Sequence, residues 1–169
     1  MSSVELDHDK YSAYLNQHLV AADAGVQAFS AAADTWADTE WEATFRQLHD
    51  ELEDSHTKLK ELIERLGYEI SAVRNIVSGV AAVAGRLNPL NITRNKDGLM
   101  TQAEFDALAA AVRGQQMMWE TLKVLSEIDD RLDADDCQAM IERCEDQRGR
   151  VLEANAATAK ARFTVQPGK

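Results

Sequence analysis

Apolar residues return every three or four positions along most of this chain, the period of a helix with one buried face. Leu15, Leu19, Ala22, Val26 and Phe29 form one such stripe and predict a first helix from about Asp9 to Ala33. Phe45, Leu48, Leu52, Leu59, Ile63 and Leu66 form a second. Thr39 stands as its N-cap, with Glu42 three residues on to complete a capping box. Gly67 closes that helix as a residue able to take the left-handed backbone. Val73, Ile76, Val77, Val80 and Val83 predict a shorter helix from Ser71 to Arg86, stopped by Asn88-Pro89.

After a loop from Leu90 to Leu99, Thr101 and Glu104 read as the capping box of a long helix. Its inward face is Leu108, Val112, Gln115, Trp119, Leu122 and Ser126. Asp133 to Asp136 make an acidic helix start, favourable at the positive end of the helix dipole. The last helix then turns Cys137, Met140, Ile141, Cys144, Arg148, Val151 and Asn155 inward, and the tail after Phe163 frays. Four long helices, with a shorter fifth inside the connection from Tyr68 to Met100, predict an all-α, ferritin-like four-helix bundle with one long crossover.

Composition supports that outline. Two prolines and eight glycines in 169 residues leave little to interrupt helices. The length suits one domain, residues 1–169, with an ordered core of about 9–163 and short flexible ends. A formal charge of −11 disfavours nucleic acid and anionic lipid, which call for clustered Lys and Arg. No apolar run is long enough to predict a membrane span, and the polar start does not resemble a secretory signal, so the expected location is cytoplasmic. Cys137 and Cys144, two helical turns apart, are about 10 Å from each other on one face. They read as buried free thiols rather than a disulfide.

The candidate chemistry is a Glu-x-x-His pair, Glu53 and His56. A di-iron bundle takes one Glu from each of two helices and Glu-x-x-His from each of the others. Spacing of three puts both side chains on one helix face. His49, one turn from Glu53, adds a further nitrogen. Glu145 occupies the matching place on the last helix, but Arg148 stands where the second histidine belongs, and a guanidinium has no lone pair for a metal. The first helix offers Asp23 rather than a glutamate; on the fourth long segment Glu120 lies off the apolar axis and Gln115 holds the core position. Candidate ligands for iron or manganese are therefore Glu53, His56, Glu145, Asp23 and Glu120. The competing expectation is a buried polar cluster of Arg148 and Gln115, with Arg148 turned to a carboxylate.

Other motifs are sparse. Residues Thr93 to Gly98 with Glu104 resemble an EF-hand loop, but Thr93 replaces the first aspartate and Pro89 breaks the incoming helix. A plain turn followed by a cap explains the same residues. His18 reads as a surface or capping histidine, and Asp50, Glu51, Asp54 and Glu61 as a solvated face. Met117, Met118 and Trp119 suggest a small-molecule pocket between helices without naming a ligand.

One resemblance is carried by Tyr14-Leu15-Asn16-Gln17-His18-Leu19 followed by Ala24-Gly25-Val26. It continues through Leu59 to Gly67, Gly114 to Leu122 with its Trp119, and Gln147 to Glu153. The chain from Tyr11 to about Phe163 is similar to an uncharacterised bacterial family, common in actinobacteria, with a ferritin-like bundle. The resemblance implies the fold but no reaction and no ligands; arginine is common in the family at the place of His56.

The expected role is therefore a non-catalytic helical protein acting through self-association or a protein partner, with a degenerate metal site and no catalytic or cofactor-binding residue. Trp36, Trp41 and the apolar short helix are its expected contact surfaces. The alternative is a carboxylate–histidine bundle that binds iron or manganese in metal handling or oxidative stress.

Overall fold

The computed structural model describes residues 5–71 and 94–165, in which four helices and no strand occur. They are α1 (His8–Thr35), α2 (Glu42–Arg65), α3 (Leu99–Leu125) and α4 (Ala134–Phe163). Apart from Ser71, the shorter helix expected from Ser71 to Arg86 lies outside the described residues, as does Thr93 of the EF-hand-like stretch.

Local signals explain most helix ends. Asp7 caps α1, its carboxylate accepting the Lys10 N–H at 3.1 Å. Asp133 caps α4 through the N–H groups of Asp135 and Asp136. Gly67, at φ +80°, ends α2 with its own N–H on the Glu64 carbonyl and the Tyr68 N–H on the Ile63 carbonyl. That is the Schellman arrangement, which needs the left-handed residue found there.

The two predicted capping boxes are displaced. At α2 the Glu42 carboxylate accepts from Asp38 N–H at 2.8 Å, while the Thr39 hydroxyl donates to the Trp36 carbonyl at 2.6 Å. Asp38, at φ 60°, makes that tight turn. At α3 the helix begins two residues before Thr101, with Gly98 as N-cap, and the Thr101 hydroxyl donates to the Asn95 carbonyl. Asn95 Oδ1 accepts the Asp97 N–H at 2.9 Å, the turn reading of the EF-hand-like residues.

α1 pairs with α2, α3 with α4, and α1 also with α3. Arg94 and Lys96 donate to the Ala31 and Ala37 carbonyls, so α3 starts where α1 ends. Arg131, in the α3–α4 turn, donates to the Leu66 carbonyl at 2.8 Å, so α3 ends where α2 ends. Helices α2 and α3 therefore run parallel. Residues 71 and 94 sit at opposite ends: the Ser71 N–H donates to Asn16, early in α1, while Arg94 reaches Ala31, about 22 Å further along the helix.

Leu15, Phe29, Phe45, Leu48, Leu59, Ile63, Leu108, Val112, Leu122 and Val151 form the core. Trp36, expected as a contact surface, is instead 4% exposed and packs among Phe45 and Phe105 at ring distances of 6.1 and 5.6 Å. The expected stripes of α2 and α4 are buried, and they differ only at a few polar positions. On α4 the buried residues are Gln147 and Ala154 rather than Arg148 and Asn155. On α2 Ser55 is buried, its hydroxyl back-bonded to the Glu51 carbonyl at 2.9 Å, and His56 sits half-buried beside it.

Candidate functional site

The expected metal ligands do not converge. Glu53 is exposed at 59%, and its neighbour is His49 Nε2 at 3.9 Å. Exposed Glu145 accepts from Gln116 Nε2 at 3.1 Å. Glu120 pairs with Arg113 at 2.7 Å on the rim of α3, and exposed Asp23 accepts from Gln27 at 3.3 Å. Each carboxylate is turned to a partner on its own or the next helix instead of toward a common centre. The buried acids among the described residues are Glu104 and Asp129, near opposite ends of α3. The donor set therefore does not fit a two-metal core site. His49, Asp50 and Glu53 do bring three donor atoms within 4.8 Å of one another, but on the outer face of α2.

The polar cluster exists with other members. Arg150, not Arg148, reaches from α4 to Glu51 at 2.5 Å, and Gln147 Nε2 donates to the same carboxylate at 3.2 Å. Two turns before Arg150, Arg143 binds Asp54 at 2.6 Å and the Glu51 carbonyl at 3.1 Å. Burial pushes the Glu51 carboxyl up, but the hydrogen bonds from Arg150 and Gln147 outweigh it and hold the group below its ordinary value. Asp50, Asp54 and Glu61 are exposed, as expected of a solvated face, while Glu51 is half-buried; Glu51 and Asp54 both tie α2 to α4 through Arg150 and Arg143. Gln147 is 0% exposed and Gln115 8%, so the core holds amides where a metal bundle holds carboxylates.

Cys137 and Cys144 are free and buried, as expected, and burial pushes the Cys144 thiol up to about 12. A thiol so poorly ionised is not a nucleophile at neutral pH.

A cavity of about 640 Å³ lies between α1 and α3, with Leu52 and Leu59 of α2 also in its wall. Ala22 and Gly25 of α1 and Ala107, Ala111 and Gly114 of α3 line it, and their small side chains leave the space between the helices unfilled. A Cβ placed on Gly25 or Gly114 meets nothing within 4 Å. Three polar side chains line the space: His18, Asp106 and Gln115. Burial lowers the His18 pKa, so the ring is neutral at neutral pH, and it lies edge-on to Tyr14 at 4.7 Å. Met118 lines the cavity as expected of a pocket residue, whereas Met117 is exposed and Trp119 belongs to the core.

No family model, curated protein or solved structure matches the chain. The site thus has to be read from its own geometry. The small-residue stripe on α3, from Ala103 through Ala107 to Gly114, was visible in the sequence as a signal for that cavity; the Glu51–Arg150 pair, 99 residues apart, had none.

Proposed function

We propose that this protein is a ferritin-like helical bundle without a working metal centre, whose role is to bind a small apolar molecule between α1 and α3. The observation that carries the reading is the 640 Å³ cavity with its predominantly hydrocarbon wall. Ligand sites are concave, mostly apolar and about 300–1,000 Å³, with a few placed polar groups. The parallel course of α2 and α3 supports the ferritin-like part, because it calls for one long crossover.

Gly25→Leu tests the reading without threatening the fold. The new side chain enters open space, and replacing a mid-helix glycine favours α1 by about 1 kcal/mol. Wild-type protein is expected to bind the neutral dye Nile red at one equivalent, and the variant to bind it at least tenfold more weakly (on the order of 1.4 kcal/mol). Equal binding by both proteins, with the variant folded, would remove the cavity from consideration.

Self-association is the second reading. Met117 and Val124, seven apart on α3, and Ile128, in the turn that follows it, are exposed, Val124 to 65%. Such a stripe suits a partner helix. If it is an interface, sedimentation gives a dimer for wild type and a monomer for Val124→Glu; a wild-type monomer at high concentration ends that reading.

A further inference from the structure

The dimensions of the cavity bear on the shape of its ligand, an inference that rests on the reading that it binds a small apolar molecule at all. Its wall on α3 runs from Ala103 to Met118, a rise of about 22 Å. Spread over that length, about 640 Å³ leaves a mean cross-section of about 30 Å². An extended hydrocarbon chain, with bonds of about 1.5 Å, advances about 1.25 Å per carbon, so about 18 carbons lie end to end in the space. A cavity of about 150 Å³ holds the six carbons of benzene, which scales to room for about 25 carbons here. One chain therefore fills the length and leaves slack for bends. Two chains side by side would need room for about 36 carbons. A fused-ring plate is broader than a single chain and is poorly matched to that section.

The wall suits a chain as well. Leu52, Leu59 and Met118 are buried, and Gly25 and Gly114 add no side chain to the bore. Asp106 and Ala110 are exposed on the α3 side, so the space opens along its flank and a chain enters sideways without threading.

We infer that the cavity takes one long unbranched hydrocarbon chain, of acyl or alkyl type and about 16–18 carbons, laid lengthwise along α3 between Ala103 and Met118.

The test offers the full chain an equimolar mixture of unbranched primary alcohols from decanol to docosanol. The unbound excess is removed and the retained alcohols are quantified by gas chromatography. Each added methylene should raise retention about two- to fourfold while it still meets apolar wall. Retention is expected to peak near hexadecanol and octadecanol and to fall for docosanol, which projects beyond the slot. Gly114→Leu places a side chain in open space one turn from the Met118 end, and should move the peak down by about four to six carbons. Ala103→Leu, at the other end, should also move it down, so a folding defect in one variant does not decide the outcome. A peak that stays in place in both variants, or retention that keeps rising through docosanol, means that length is not read, and the inference fails. Cholesterol retained in preference to octadecanol overturns it in favour of a rigid plate. In each of these cases, Nile red binding that Gly25→Leu weakens leaves the cavity reading intact. If neither the dye nor any alcohol is retained, both readings fall.

Discussion

Arg150 is the residue on which the α2–α4 seam turns. Its guanidinium holds Glu51 at 2.5 Å and Asp146 at 2.9 Å, and the Glu51 side chain is only 21% exposed. Arg150→Met would leave a carboxylate mostly out of water without its cation. The expected loss is about 2 kcal/mol in urea unfolding, between the figures for a surface pair and a fully buried one. Arg148→Met, two residues away and half-buried, is expected within about 0.5 kcal/mol of wild type. Equal losses for the two variants would show that the arginine register is wrong. The sequence points to Arg148 because it stands three residues after Glu145, where the second histidine of the metal motif belongs; Arg150, about 200° further round the helix, has no such motif to mark it.

Among the elements, α2 is the one whose end was legible and whose start was not. A glycine after an apolar stripe has one strong use, and Gly67 at φ +80° has it. Gly67→Ala is expected to cost about 1 kcal/mol, read as a lowered urea midpoint at unchanged slope, because a Cβ is disfavoured in that backbone region. An unchanged midpoint would mean that the helix end relaxes. The start of α2 depended on Asp38 at φ 60°, a turn that lets Glu42 reach one residue further back than a capping box does. Nothing local marks Asp38 for that conformation. Similarly, Thr101 lay too deep in α3 to cap it because Gly98 already breaks the extended chain and its hydroxyl was drawn to the Asn95 carbonyl.

For the whole molecule, acid should remove stability in two steps. Burial lowers the His18 pKa in the folded protein, so unfolding takes up a proton once the pH falls below about 6.5, the imidazole's ordinary value. His18 therefore favours unfolding progressively from there down to its folded pKa. The carboxylates act lower. Arg131 holds Asp129 below its ordinary range, Lys58 and Arg143 do the same for Asp54, and Arg150 and Gln147 outweigh burial at Glu51. Their contribution is complete above the ordinary carboxylate value near 4 and is lost as the pH falls through the folded values. Urea midpoints measured from pH 7 to pH 3 should decline in both windows. His18→Gln should flatten the upper one alone; a decline between pH 6.5 and 5 that persists in the variant would assign it to another group.

The sequence by itself determined that the described chain is four long amphipathic helices, where three of them stop, and that its cysteines are buried thiols. Those properties follow from local spacing, caps and burial preference. Only the tertiary structure decided which polar residues beside those stripes go inside and which partners the outer ones find. It put Gln147 and Ser55 inside where Arg148 and His56 were expected, and turned Glu53, Glu145, Asp23 and Glu120 to separate partners. It also set the small-residue faces of α1 and α3 opposite each other. The physical reason is that a helix of fixed sequence has several nearly equivalent buried faces, and the choice among them is made by the side chains of the neighbouring helices, not by its own period.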